Sequence, residues 1–177
     1  MEKFMTITNS DQKIFWCSNC LNMSTRPRIS FDERGWCNAC QWMEEKKTLD
    51  WSVRQQELQE YLEKFRSHTG GFDCVAPVSG GKDGSYVSYN LKHNYGMHPL
   101  TITVTPALSL ELGNTNLRNF IDSGYNHIQI SPDPNVMRIL NRQGFIEWGF
   151  PYFGWLVAIQ AAVVRMAINL DINLLFY

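Results

Sequence analysis

The sequence predicts an α/β protein in which a parallel sheet with flanking helices follows a small cysteine-rich module. After residue 71, short apolar runs rich in β-branched residues alternate with helical patterns, which is typical of parallel strands joined by crossover helices. Before residue 47, four of the five cysteines lie among turn-forming residues with little periodicity. We therefore divide the chain into a cysteine-rich module at 1–47, a linking helix at 48–70 and an α/β domain at 71–177.

The linking helix is predicted from apolar residues at helical spacing. Trp51, Leu58, Leu62 and Phe65 recur at this spacing. Asp50 is a candidate N-cap, and the pair Gly70-Gly71 ends the segment. The preceding run at 44–47 is charged and is predicted to be a solvated linker.

The elements of the α/β domain follow from the same periodicity. Strands are predicted at 73–78, 100–105, 127–130 and, in the run INLLFY, at 172–177. Helices are predicted at 85–93, 113–123, 134–142 and 156–169, the last of them buried in the core. A strand that ends at Tyr177 has no turn, helix or polar cap for its edge, so we expect the chain to be part of a longer protein.

Composition argues against two classes of partner. The formal net charge of -1 gives no general attraction to polyanions, so a nucleic-acid partner is not favoured. The N-terminus lacks an apolar core of signal-peptide length, and no stretch reaches the ~20 uninterrupted apolar residues of a membrane span. We therefore expect a cytoplasmic protein without membrane insertion.

The cysteines of the module form two C-x-x-C pairs separated by sixteen residues, a spacing typical of four-cysteine zinc sites. Two intervening residues form a tight turn that directs both thiolates at one ion, and two such turns complete a tetrahedron. The alternatives are paired disulfides, which are disfavoured in a chain without an export signal, and four unrelated cysteines, against which the double C-x-x-C spacing argues. The predicted ligands of a structural Zn²⁺ are Cys17, Cys20, Cys37 and Cys40. Such a site has no open coordination position for catalysis. Cys74, alone in the first strand, is predicted to be a buried apolar residue.

The segment SGGKD at 79–83 stands between the first predicted strand and the first predicted helix. This arrangement places free backbone N–H groups at a helix N-terminus, where the macrodipole also favours an anion. Glycines let phosphate oxygens approach the backbone, and the hydroxyls of Ser79 and Ser85 and the charge of Lys82 add to the site. The segment is neither a Walker loop nor a G-x-G-x-x-G fingerprint, because the spacing of its glycines differs from both.

This loop resembles the S-G-G-x-D-[ST] loop of the PP-loop ATP pyrophosphatases, with Gly84 inserted between Asp83 and Ser85. Four longer segments resemble the N-acetyl sugar amidotransferase family, whose members act in lipopolysaccharide O-antigen and flagellar sugar synthesis. They are FDERGWCNACQW at 31–42, PVSGGKDGSYV at 77–87, LKHNYGMHPLTITV at 91–104 and GFPYFGW at 149–155. The resemblance implies a PP-loop, HUP-like fold with an ATP-binding domain at 71–177, and members of the family continue beyond the point where this chain stops.

The resemblance also implies an ATP-dependent amidotransferase. ATP would adenylate the acetamido oxygen of a nucleotide-linked sugar, pyrophosphate would leave, and ammonia would displace AMP to give an acetamidino group. Mg²⁺ bound with the ATP, a glutaminase subunit that supplies ammonia and a cyclase-like partner are implied in the same way.

The residues expected at this site belong to two segments. Contacts to pyrophosphate are assigned to Ser79, Gly80, Gly81, Gly84 and Ser85, with Lys82 as a charge partner. Lys82 and Asp83 are the candidate catalytic residues, and Asp83 either caps the following helix or helps to hold Mg²⁺. Adenine is expected near Thr103, Val104 and Thr105, because ligands of open α/β sheets bind at the carboxyl ends of the strands.

Several interpretations stay open at this point. Tyr152, Phe153 and Trp155 form either a stacking surface for the sugar nucleotide or part of the core. The four histidines, His68, His93, His98 and His127, are predicted to be surface residues. A tRNA-modifying PP-loop enzyme is one alternative function, although a pI of about 6.4 shows no basic footprint. A noncatalytic scaffold that binds zinc and a nucleotide is the other.

Overall fold

The computed structural model describes residues 13–177 of the chain. The chain divides into two compact units, Met1–Arg54 and Gln55–Tyr177. The first twelve residues of the module predicted at 1–47 lie outside the described residues.

The first unit is organised around its cysteines. An isolated antiparallel bridge joins Phe31 to Cys37, and helix α1 (Asn38–Thr48) begins directly after Cys37. The buried members of the core cluster are Cys17, Cys37 and Cys40. Helix α1 was not predicted, and the run at 44–47, predicted as a linker, forms its last turns. Cys40 is the buried residue of this helix, so no apolar stripe reveals α1 in the sequence.

Helix α2 (Trp51–Glu63) corresponds to the predicted linking helix but ends well before residue 70. Its Leu58 and Leu62 belong to the same core cluster as Cys74 and Ala76. The helix therefore packs against the α/β elements as one of their layers, and the second unit begins at Gln55 rather than at residue 71.

The sheet of the second unit has three parallel strands, which confirms the predicted α/β class. They are β1 (Cys74–Pro77), β2 (Pro99–Val104) and β3 (Asn126–Ile130), in the spatial order β1-β2-β3. The register sets Cys74 beside Pro99 and Leu100 beside Asn126. The carboxyl ends of all three strands therefore lie at one edge of the sheet.

The fourth predicted strand, at 172–177, does not form a regular strand. The Val75 N–H donates to Leu174 O, and the Phe176 N–H donates to Val75 O, both at 2.9 Å. Leu175 consequently forms one parallel bridge with Val75, and the pairing is too short for a ladder. Because alternate residues of a strand direct their backbone groups to opposite edges, this segment runs along the edge of β1 that faces away from β2.

Four helices complete the second unit. They are α3 (Lys82–Tyr89), α4 (Glu111–Asp122), α5 (Pro134–Trp148) and α6 (Phe153–Asn169). Helix α3 begins three residues before its predicted start and continues into a π-helical segment, Asn90–Asn94. Helix α5 runs past its predicted end at residue 142, through Gly144. A Cβ at Gly144 would lie 2.3 Å from Phe153 Cβ, so this glycine permits close packing of α5 and α6 rather than ending α5.

The core occupies both faces of the sheet, because side chains alternate along each strand. Cys74 and Ala76 of β1 face a cluster that contains Leu62 of α2. Val75 faces the opposite cluster, which contains Val163 of α6. The sheet is thus covered by helices on both faces.

Helix α6 is not enclosed by the core as predicted. Gly154, Val163 and Ala167 are its buried residues, whereas Ile168 is 72% exposed and Val164 is also exposed. The helix packs on the sheet through one stripe only. Among residues 13–177, no helix has the length and apolar character needed to cross a membrane.

Candidate functional sites: a cysteine cluster and a glycine loop

The four predicted metal ligands lie together in the first unit. The Sγ atoms of Cys17, Cys20, Cys37 and Cys40 all lie within 4.8 Å of one another. Three of the separations are 3.6 Å for Cys20–Cys37, 3.7 Å for Cys37–Cys40 and 3.8 Å for Cys17–Cys40. A tetrahedron with metal–sulfur bonds of about 2.3 Å has edges of about 3.8 Å, so these sulfur positions fit a zinc ion. All four thiols are free, which excludes the disulfide alternative in this structure.

Two different local structures supply these ligands. Cys17 and Cys20 lie in a turn in which the Asn19 N–H donates to Cys17 Sγ at 3.4 Å. Cys37 immediately precedes α1 and Cys40 lies in its first turn, so the second pair sits at the positive end of the helix dipole. The Cys37 N–H also donates to Cys17 Sγ at 3.1 Å, which ties the two pairs together.

Asn22 contacts the cysteine cluster, and the sequence reasoning missed it. Its Nδ2 donates to Cys37 Sγ at 3.3 Å, and this bond, together with hydrogen bonds from the Cys40 N–H and the neighbouring thiols, lowers the pKa of the Cys37 thiol to about 6. A metal binds the thiolate form, which these contacts favour at neutral pH. Despite a hydrogen bond with Asn19, burial and the neighbouring thiols raise the pKa of Cys40 to about 12. Burial in β1 likewise raises the pKa of the Cys74 thiol to about 12. Its predicted burial is confirmed.

The glycine loop, which we define as residues 79–85, follows β1 and leads into α3. Gly80 has a φ of 78°, and a Cβ there would lie 2.7 Å from Leu117 N and 2.9 Å from Gly113 O of α4. Only glycine fits this position without strain. Within residues 13–177, the backbone N–H groups of residues 79–83 donate to no protein acceptor. The loop therefore presents consecutive unpaired donors at the start of a helix.

The last two residues of the loop contribute to packing. A Cβ at Gly84 would lie 2.6 Å from Pro77 O and 3.2 Å from Val78 Cα, so the glycine lets α3 pack closely on the end of β1. Ser85 Oγ donates to Gly81 O at 2.8 Å and closes the first turn of α3. Their assignment to pyrophosphate stays a prediction.

Lys82 and Asp83 point into solvent. Lys82 Nζ lies 2.9 Å from Asp83 Oδ1, and the two side chains are 91% and 89% exposed. Gly81 occupies the N-cap position of α3, and no side chain caps it. The interpretation of Asp83 as the cap is therefore wrong, because Asp83 is a residue of the first turn rather than the N-cap, and its carboxylate pairs with Lys82. Its assignment to Mg²⁺ stays a prediction.

A pocket of about 440 Å³, here called the loop pocket, opens beside the glycine loop. It is lined by residues 79–81 of the loop and by residues 103–105 at the end of β2, so the structure brings the two predicted segments together. Residues 82–85 are not among its lining residues. The sequence reasoning missed three leucines of the lining, Leu108, Leu110 and Leu112, which are exposed apolar residues before and in the first turn of α4.

Hydrogen bonds hold the end of β2 in place. Thr103 Oγ1 donates to Val78 O, so this hydroxyl is already engaged at the end of β1. The Trp155 Nε1–H donates to Val104 O at 3.1 Å and connects α6 to the same edge. Thr105 Oγ1 is also engaged, with Ser131 Oγ and Gln129 Nε2, so the groups that the end of β2 offers to a ligand are chiefly backbone atoms.

The three aromatic residues Tyr152, Phe153 and Trp155 do not all have the same surroundings, and the structure separates those at the pocket from the one packed between α5 and α6. Tyr152 and Trp155 line the loop pocket, as a stacking surface would. Phe153 instead packs edge-on against Trp148, with ring centroids 4.5 Å apart, and belongs to the contact between α5 and α6.

Three histidines, His68, His93 and His98, are exposed as predicted, but His127 is not. It stands beside Thr101 in the sheet register, and its Nδ1 lies 2.9 Å from Thr101 Oγ1. Burial lowers the pKa of His127, and its Nε2 is buried without a partner among the described residues. The surface prediction for His127 is wrong because its ring packs against the buried neighbouring strand.

No protein-family model matches the chain, and no curated protein matches it at a significant level. The fold and sites define an α/β protein with a three-stranded parallel sheet and helices, joined to a four-cysteine cluster that could hold a metal ion such as zinc.

Proposed function

We propose that the protein is an ATP-dependent amidotransferase of the PP-loop ATP pyrophosphatase type, which converts an acetamido group of a nucleotide-linked sugar into an acetamidino group. The observation that carries this proposal is the set of unpaired backbone N–H groups at 79–83, beside a pocket of about 440 Å³. Backbone donors at a helix N-terminus are suited to phosphate groups. The family resemblance of the loop supplies the reaction.

The strand order supports a nucleotide site at this place. The chain builds β1, β2 and β3 in one direction and then returns through α6 to the opposite edge of β1 at residues 174–176. In open α/β sheets, ligands bind outside the carboxyl ends of the strands where the order reverses. The glycine loop follows β1, which is the strand at which this reversal occurs.

The proposed reaction has two displacements. The acetamido oxygen attacks the α-phosphorus of ATP and pyrophosphate leaves; ammonia then adds to the activated carbon, and the oxygen departs with AMP. The N–H groups at 79–83 bind the departing pyrophosphate and stabilise the charge that grows on it. Lys82 exchanges its contact with Asp83 for a phosphate oxygen, and Asp83 is assigned to the Mg²⁺ that accompanies ATP. Adenine is assigned to the backbone at 103–105.

We further propose that the cysteine cluster binds a structural Zn²⁺. Four thiolates fill the tetrahedral coordination of zinc, and metal binding stabilises a unit whose buried core consists largely of its ligands. The resemblance adds a glutaminase subunit as the source of ammonia, together with a cyclase-like partner.

The proposed function is tested by product analysis. The protein is incubated with ATP labelled at the α-phosphate, Mg²⁺, an ammonium salt and a panel of nucleotide-linked acetamido sugars. We expect labelled AMP in an amount equal to a sugar product in which NH has replaced oxygen. Labelled ADP in place of AMP, or AMP formed only when tRNA is supplied, would contradict the proposal.

A further inference from the structure

A second pocket, of about 540 Å³, lies beside the loop pocket and has no assigned role. It is formed where β2 and β3 end and α5 begins. Thr105 and Pro106 line both pockets, so the two cavities adjoin at the end of β2. We call this second cavity the α5 pocket. Its position allows a ligand within it to reach a nucleotide bound beside the glycine loop.

The α5 pocket contains one cation without a partner. Arg138 lies one turn into α5, on the same face as Met137 and Asn141. Among residues 13–177, its guanidinium makes no ion pair and no hydrogen bond. The lining includes no carboxylate. The pocket is therefore suited to an anion, and a planar guanidinium binds phosphate oxygens in pairs.

Asn141 supplies an oriented donor to the same pocket. Its Oδ1 accepts hydrogen bonds from the N–H groups of Gly154 at 2.8 Å and Trp155 at 3.3 Å, at the start of α6. These contacts determine which end of the amide faces α6, and they leave Nδ2 without an acceptor among the described residues. A Cβ at residue 154 would lie 2.7 Å from Leu140 Cβ and 3.0 Å from Asn141 Oδ1, so the glycine allows this close approach.

Hydroxyl groups mark the boundary between the two pockets. Thr105 Oγ1 lies 3.1 Å from Ser131 Oγ and accepts a hydrogen bond from Gln129 Nε2 at 3.1 Å. Gln129 lines the loop pocket and Ser131 lines the α5 pocket. Polar contacts therefore continue from one cavity into the other.

We propose that the α5 pocket is the acceptor site, in which Arg138 binds the diphosphate of a nucleotide-linked sugar and Asn141 Nδ2 donates to an oxygen of the same ligand. This inference rests on the proposed function for its reaction, but its evidence is separate: a free guanidinium, an oriented amide and a cavity that adjoins the loop pocket. The acetamido group then approaches the nucleotide across Thr105.

The test is a binding measurement on the whole chain with its zinc. UDP and UDP-N-acetylglucosamine are titrated by calorimetry in the presence of a saturating ATP analogue that has a methylene group between the α and β phosphates. Arg138→Gln is compared with Arg142→Gln, a matched change in the next turn of α5 at an exposed residue outside the pocket lining. Asn141→Asp is a second variant, because it keeps the oxygen that accepts from Gly154 but removes the donor.

We expect Arg138→Gln to weaken the binding of both UDP compounds about tenfold or more, and Arg142→Gln to change it by less than about twofold. The affinity for the ATP analogue should stay unchanged in both variants. Asn141→Asp should also weaken the binding of UDP-N-acetylglucosamine relative to the unchanged protein. It should not lower the melting temperature, since an aspartate at this position still accepts the hydrogen bonds from the start of α6.

Three results would overturn the inference: no binding of either UDP compound, equal binding by the two arginine variants, or displacement of the ATP analogue by the sugar nucleotide. Failure of the proposed function would give a different experimental result. If the ATP analogue does not bind but the binding of UDP still depends on Arg138, the amidotransferase proposal fails and the α5 pocket remains a site for nucleoside diphosphates.

Discussion

The cysteine cluster of the first unit and the glycine loop of the second differ in the atoms that they offer to a ligand. In the cluster, four side-chain sulfur atoms stand 3.6–3.8 Å apart in three of their pairs and match one coordination geometry. In the loop, the available donors are backbone N–H groups, while Lys82 pairs with Asp83 and Ser85 bonds to Gly81. The sulfur geometry suits a tetrahedral metal ion, whereas a set of backbone donors indicates only that a suitable ligand is an anion. The following variants test that contrast.

The largest effect is expected for Cys37→Ser. Loss of one of four thiolates should reduce zinc affinity by more than the roughly 100-fold typical of an outer-sphere change, and should unfold the first unit. Zinc content by elemental analysis and backbone NMR spectra of residues 13–54 measure this. Cys74→Ala is the control, because this thiol is buried in β1 and does not belong to the four-cysteine cluster. Loss of zinc from the control variant would contradict the assignment.

A smaller but clear effect is expected for Gly80→Ala. The φ of 78° costs about 1–2 kcal/mol for a residue with a Cβ. The contacts at 2.7 and 2.9 Å with α4 should raise the total decrease in the free energy of unfolding to about 3 kcal/mol. ATP binding should disappear while zinc content stays the same. Urea denaturation and calorimetry measure the two effects.

Gly149→Ala is the matched control for this variant. Gly149 also has a positive φ, 66°, but a Cβ there meets nothing within 4 Å. The variant should therefore lose only the stability that backbone strain costs, about 1 kcal/mol in the free energy of unfolding, and keep its affinity for ATP. Equal losses of stability in the two alanine variants would show that the close contact between the loop and α4 is unimportant.

Trp155→Phe tests how the end of β2 is held. It removes the donor to Val104 O and leaves a buried strand carbonyl unpaired, at a cost of about 1–3 kcal/mol. Trp148→Phe is the control, since Trp148 is 62% exposed and should change stability by less than about 0.5 kcal/mol. Thermal denaturation distinguishes them, and similar melting temperatures would count against a role for this hydrogen bond.

The smallest effect on stability is expected for Lys82→Met. The ion pair with Asp83 is almost fully exposed, so its loss should change the free energy of unfolding by less than about 0.5 kcal/mol. The rate of AMP formation should nevertheless fall about 100-fold, because the variant removes a charge from the proposed leaving-group site. A fall in stability with an unchanged rate would reverse the roles assigned to this side chain.

Local sequence patterns predicted the sheet and both motifs, because each depends on neighbouring residues. Apolar runs mark β1, β2 and β3, and the two C-x-x-C pairs mark the cysteine cluster. Gly84 misled the prediction of the start of α3, because glycine usually interrupts a helix, whereas here it permits packing against Pro77 O.

Contacts between distant residues could not be predicted in the same way. The bond from Trp155 to Val104 spans 51 residues, and the bond from Gly154 to Asn141 spans 13. Neither has a spacing or composition that distinguishes it in the sequence. Position within the sheet also decides the burial of His127, which alternation along β3 alone does not show.

The central claim is that backbone N–H groups of the glycine loop bind the phosphates of ATP. The most direct test is a titration of ¹⁵N-labelled protein with ATP and Mg²⁺, followed through the amide signals of residues 79–83. We predict large, saturable shifts of these five signals, with no shift at Gly149. Saturable shifts located elsewhere, or unchanged signals at 79–83 while ATP is bound, would contradict the claim.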